Sequence, residues 1–221
     1  MNLEALIAYT RSLVDEPRDS FVSQTELVRW LNRAQEHVGM VIIEHDEYYF
    51  SALRTLTYPA NTYQMAVPFS FLRVQLVRNN TTAGSEYFAR PVSPTKAYIQ
   101  YPPTAQTTVP SNYSIKGNAM ALHPTPDAAQ TLEVTYIPEF EDMIDVKDEP
   151  VIPRNFHEIL ALYAALNYTL KGEGRPEQLM AHYAKLEKGL IGFVLRGRTS
   201  VGTRFGNYEE EDGVWPFATS S

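Results

Sequence analysis

The chain has 221 residues, 44% of them hydrophobic and 20% charged, with no cysteine and a formal net charge of −7. A chain of this length can bury roughly 70% of its unfolded surface and can fold alone. The missing cysteines remove disulfides, thiolate metal sites and cysteine nucleophiles together and fit a reducing cytoplasm, while the acidic balance argues against a protein that grips nucleic acid over its whole surface. No apolar run approaches the roughly 20 residues of a bilayer span, so no membrane partner is expected. The start, MNLEALIAYTRS, carries Glu4 and lacks a basic leader before a long apolar stretch, so it does not read as a secretory signal.

Leu3, Leu6, Ile7, Leu13 and Val14 mark one face of a first helix that should stop before Pro17. After a loop around Pro17 and Asp19, Ser23 stands three residues ahead of Glu26, the spacing of a capping box. Leu27, Trp30, Leu31, Ala34, Val38, Val41 and Ile42 then form the expected buried stripe of a helix of about twenty residues.

The middle of the chain changes language. Tyr63, Met65 and Val67 alternate with polar or small residues, as do Leu72, Val74 and Leu76, the period of a sheet with one buried face. Pro91, Pro94, Pro102, Pro103 and Pro110 break the next stretch, although 94–101 has room for a short helix. Tyr113 to Lys116, the turn pair Gly117 and Asn118, and Ala119 to His123 read as a hairpin. Leu132, Val134 and Tyr136 supply one more strand, and three antiparallel strands in meander order are expected.

Six acids, Glu139, Glu141, Asp142, Asp145, Asp148 and Glu149, then surround the single Lys147, which reads as a boundary between domains. Pro150 and Pro153 lead into Phe156, Ile159, Leu160, Tyr163, Leu166 and Leu170 at helical spacing. Gly172, Gly174 and Pro176 provide a turn, and Leu179, Tyr183, Leu186, Leu190 and Phe193 a last, antiparallel helix. None of these stripes wraps fully around its helix, so packing them together is the economical arrangement. From Gly197 the chain has no periodic apolar face. It carries Arg198 and Arg204 after Arg196, then an acidic block, then Trp215 and Phe217.

Chemistry-bearing motifs are scarce. No glycine-rich phosphate loop, nucleophile elbow or HExxH pair occurs. His45 beside Glu44, Asp46 and Glu47 reads better as a solvated helix end than as a metal site, because adjacent residues point in different directions. Asp142, Asp145 and Asp148 lack the glycine and alternating acids of a calcium loop and read as a repelling or inter-subunit surface. Nine of the fourteen tyrosines lie between Tyr48 and Tyr136, which suits either strands or a platform for sugar rings. Trp215 and Phe217 read as anchors for a partner's groove.

Three segments carry a resemblance. DEPRDSFVSQTELVRWLNRAQEHV is similar to the opening of head-to-tail adaptor proteins of tailed bacteriophages, GNAMALHPTPDAAQTLEVTYIP to their strand, proline turn and strand, and PVIPRNFHEILALYAALNYTL to their returning helix. The resemblance implies a virion protein assembled in the host cytoplasm. It would form a dodecameric ring docked beneath the portal protein, join the filled head to a tail or nozzle protein, and enclose the channel through which DNA passes without sequence recognition. It also implies that the tail reaches the portal.

The expected fold is therefore α+β. Residues 1–45 and 150–196 form one small helical bundle with Leu27, Trp30, Leu31, Ile159 and Tyr163 in its core, residues 46–149 an inserted antiparallel β-sheet or sandwich, and residues 197–221 an extended tail. Arg196, Arg198, Arg204, Trp215 and Phe217 are the expected partner-binding residues, and no catalytic, cofactor-binding or metal-binding residue is expected. The rival reading is a carbohydrate-binding or glycan-hydrolysing protein using Tyr98, Tyr101 or Tyr113 with acids near Asp142. A tail-side completion protein is the rival within the same class.

Overall fold

The computed structural model describes residues 1–16, 21–81, 86–172 and 175–205. The loop expected around Pro17 and Asp19, the turn at Gly174, and Trp215 and Phe217 lie outside the described residues. The chain divides into two compact units, one from Met1–Glu47 together with the chain from Phe140 onward, the other Tyr48–Glu139. The fold is α+β, with five α-helices among the described residues and a mostly antiparallel sheet.

In the helical unit, α1 (Leu3–Leu13) starts on Asn2, whose side chain accepts from the N–H of Ala5. The longer α2 (Gln24–His45) starts on Ser23, whose hydroxyl accepts from the N–H of Glu26. The expected reciprocal half of that capping box is put to another use: the Glu26 carboxylate accepts from Lys171 Nζ at 2.7 and 2.9 Å. Leu27, Leu31, Ala34, Val38 and Ile42 are buried as the periodicity requires, whereas Trp30 and Val41 flank the stripe and are only half-buried.

A 3-10 turn (Arg154–Phe156) leads into α4 (Glu158–Lys171), which packs against α1, α2 and α5 (Glu177–Phe205). Contact on so many sides explains a departure from the expected one-sided stripe. Ile159, Leu160, Ala161, Leu162, Ala164 and Ala165 are all buried, while Tyr163 is half-buried. The last helix α5 buries Leu190 and Val194 and continues through Phe205, so residues 197–205, expected in the extended tail, are helical.

In the second unit the strands are β1 (Ala52–Tyr58), β2 (Met65–Ala66), β3 (Arg73–Asn79), β4 (Tyr87–Pro91), β5 (Gln106–Thr107), β6 (Asn112–Lys116), β7 (Ala119–His123), β8 (Thr125–Pro126) and β9 (Gln130–Ile137), with the short α3 (Pro94–Gln100) after β4. The main sheet has the order β1-β9-β3-β4-β6-β7-β2, and β4 and β6 are its parallel pair.

The expected hairpin is present, with Lys116 opposite Ala119 and Gly117 at φ +58°, a conformation that glycine adopts without steric cost. The expected meander is not. The proline-rich turn after β7 carries the chain into β8, which pairs with β5, and β9 goes instead between β1 and β3. The burial phase of β3 also differs from expectation. A register shift between Val74 and Leu76 displaces the alternation, so Val77 and Asn79 face inward while Leu76 is exposed; Leu72, which precedes β3, is exposed as well. The sheet curls over its core, since Tyr58 on β1 donates its hydroxyl to Met120 O on β7, far along the strand order, at 3.4 Å.

Candidate functional site

The acidic segment is a strap laid across the helical unit. Asn32 on α2 donates Nδ2–H to the carbonyl of Met143 at 3.1 Å and accepts from the Met143 N–H at 3.0 Å, replacing both partners that a strand would offer. One turn on, Gln35, 1% exposed, donates to the carbonyl of Glu141 at 2.9 Å and accepts from the N–H of Val151 at 3.0 Å. The strap gives something to α1 in return. The first helical donors, which have no partner inside their own helix, are the N–H groups of Leu3 and Glu4, and they reach the carbonyls of Asp148 at 2.8 Å and Val146 at 3.1 Å. Met143 is buried beneath the strap, whereas Ile144 projects at 85% exposure between exposed Asp142 and Asp145.

The carboxylates of the strap serve its backbone. Asp148 Oδ2 accepts from the N–H groups of Ile144 and Asp145, both at 2.8 Å, and these bonds hold its carboxyl below the usual range. Asp145 Oδ1 accepts from the Lys147 N–H at 3.0 Å. Glu149 is also held low, chiefly by its hydrogen bond from Arg154 at 2.7 Å. Asp145 and Asp148 thus build a turn. Among the described residues no three His, Asp or Glu side chains converge as metal ligands, and no helix is long and apolar enough to cross a membrane.

Of the other expected residues, Leu27, Leu31 and Ile159 are fully buried, and Tyr163 contributes an edge of the helical core near His37 and Tyr183. Arg196 is exposed on α5. Arg198 and Arg204 belong to the same helix, but the described side chains end before them, and Trp215 and Phe217 fall outside the described residues. At the end of α2, His45 Nδ1 lies 2.9 Å from the carbonyl of Val41, a helix-terminal contact.

The tyrosines proposed as a sugar platform do not share a face. Tyr98 is 61% exposed on α3 and lines a cavity of about 650 Å³ with Tyr63, Ile99 and Lys116. Tyr113 is 4% exposed and lines a different one, and Tyr101 accepts from Asn112 Nδ2 at 3.0 Å. At the floor of the first cavity Ser114 Oγ lies 2.8 Å from His123 Nε2, the spacing of a nucleophile and base. Its geometry argues for packing. His123 Nδ1 is buried with no hydrogen-bond partner to orient the ring, Tyr101 stacks on it at 6.2 Å, and burial pushes the imidazole below its ordinary range.

Asn32 and Gln35 were the residues that spacing alone overlooked. Their signal was present: Gln35 lies four residues after Leu31 on the buried stripe, where a polar side chain implies a partner.

A family model described as SU10 adaptor protein matches residues 1–205. No curated protein sequence matches the chain.

Proposed function

Because this chain belongs to the SU10 adaptor protein family, structural head-to-tail adaptors of phage virions, we propose that it forms a ring beneath the portal, joins the DNA-filled head to the tail, and encloses the exit channel. The observation that carries this reading is the family match across nearly all of the chain, including both the helical unit and the β-rich unit. The helical unit, with α1, α2, α4 and α5 acting as one bundle, is the part that packs laterally, and the inserted β-rich unit is free to meet the next component. A net charge of −7 suits a conduit that does not hold the polyanion moving through it. Twelve copies are the expected ring number, with assembly in the host cytoplasm.

The C-terminal end is the portal-binding element of this proposal. Arg196, Arg198 and Arg204 meet acidic groups on the portal, and Trp215 and Phe217 fill an apolar groove there. Electron microscopy of the purified chain, alone and mixed with portal protein, tests the reading. Rings seated on the portal are the expected image; a chain that remains monomeric in both samples removes the proposal. Truncation after Leu195 should leave the helical unit folded and abolish stable docking. Undiminished docking would assign the portal contact elsewhere.

A further inference from the structure

Two exposed faces of the helical unit are opposite in net charge. On the strap, Ile144 and Val146 stand out as an apolar ridge beside exposed Glu141, Asp142 and Asp145, with Lys147 the one exposed cation among them. A shallow groove runs on each side. One, of about 580 Å³, is walled by Ile7, Ala8 and Val146 and carries Glu4, Asp15 and Glu16 against Arg11; the other, of about 710 Å³, is walled by Val28, Met143 and Ile144 and carries Glu36 and Asp142 beside Arg29 and Arg33. The ridge is held in place by the side chains of Asn32 and Gln35 and by the start of α1, so it presents a preformed surface.

On α5, Leu190 and Val194 face the core, and the opposite side of the helix includes the exposed Ala181, Ala184, Lys185 and Lys188, with Glu177 at its start. Two alanines there allow close approach of another chain. The lysine stems can cover apolar surface while their ammonium groups reach outward to carboxylates.

We propose that these faces are the two halves of one contact between copies of this chain, the strap ridge of one seated on the outer face of α5 in the next. The inference rests on the ring reading above and supplies its lateral contact. Charge decides the pairing. A two-fold contact of strap on strap or α5 on α5 brings surfaces of like net charge together, whereas strap on α5 pairs a net acidic surface with a net basic one. A patch meeting a different patch is a head-to-tail contact, and repetition of it closes a ring when the rotation permits. Ile144 and Val146 gain an apolar partner in that arrangement, and the charged rim fixes which way round the copies meet.

Charge exchange in the full chain tests the pairing, read by sedimentation velocity and negative-stain microscopy alone and on portal protein. Glu141→Lys with Asp142→Lys, and separately Lys185→Glu with Lys188→Glu, should each raise the concentration at which rings form by on the order of 100-fold. All four side chains are exposed, and the Glu141 carbonyl that Gln35 holds is untouched, so both variants should unfold at the wild-type urea midpoint. An equimolar mixture of the two should restore rings, because each reversed face then meets a reversed partner. Ile144→Ser should weaken rings without any change of charge. Wild-type rings that persist in both reversed variants, or a mixture that restores nothing, overturn this contact while leaving the ring reading in place. A wild-type chain that is monomeric alone and on the portal overturns both.

Discussion

Asn32 and Met143 are joined by a reciprocal pair of hydrogen bonds, 3.1 Å from side-chain amide to backbone carbonyl and 3.0 Å from backbone N–H to side-chain oxygen, across 111 positions of sequence. One side chain thereby fixes the strap to α2 at the point where Ile144 turns outward. Replacing it with leucine removes a donor and an acceptor at once and strands two backbone groups. Asn32→Leu should cost about 1–3 kcal/mol in urea unfolding and loosen amide-exchange protection at Met143. A variant as stable and as protected as wild type would show that the strap is held by packing alone.

Leu31 is completely buried on α2, and Ser23 caps the same helix from outside. Leu31→Ala should therefore cost about 2–5 kcal/mol through lost packing and cavity formation. Ser23→Ala should cost only about 1 kcal/mol. Chemical denaturation of the two variants side by side checks the order, and a reversed order would mean that the α2 stripe is not the core.

Gly39 is a helix-interior glycine, where alanine would ordinarily stabilise by about 1 kcal/mol. Here a Cβ would lie 2.4 Å from the Phe140 ring, so the ring at the start of the strap must move. Gly39→Ala should be net destabilising, by about 1–3 kcal/mol. The penalty should shrink in a Phe140→Leu background. Equal penalties in the two backgrounds would show that the ring is not the obstacle.

Both buried imidazoles, His123 and His157, are pushed below their ordinary range mainly by burial. His157 lies 3.0 Å from the Ile152 carbonyl through Nε2, which suits a neutral ring donating from that nitrogen. A lowered folded pKa means that the unfolded chain binds more protons once pH drops below about 6.5. Stability should be fully present above about pH 6.5 and fall as the pH descends toward the folded values. Urea midpoints between pH 7.5 and 5 measure this, and the slope should diminish in His157→Asn and in His123→Gln. An unchanged slope in both variants would place the acid sensitivity with other groups.

The helical unit was the legible part of the sequence because its signals are local. A cap at Ser23, an apolar stripe along α2 and a short turn before α5 need no knowledge of distant residues. The motif Trp30, Leu31, Asn32, Arg33, Ala34, Gln35 carried the family resemblance, yet the work of its two amides was hidden, since their partners are backbone groups of Glu141, Met143 and Val151. The sheet was less legible for the same reason. A one-residue irregularity near Gln75 exchanges the faces of β3, and the choice of β9 to leave β7 and enter between β1 and β3 depends on non-local pairing. β1 and β4 escaped notice because each buries few residues, and the alternation of β1 is confined to Leu56 and Tyr58.

The carbonyls of Val146 and Asp148 complete the first turn of α1, and α4, which packs on α1 and α2, comes later still. On a ribosome these partners are therefore separated in time. The whole β-rich unit emerges, with every strand it needs, while the first two helices are still waiting for theirs. The unit in the middle of the chain can fold first, and the one that contains both early and late segments must fold last. Until α4 arrives, the apolar stripe of α2 has only α1 to cover it, a window in which this chain is open to aggregation and in which a chaperone would find its substrate.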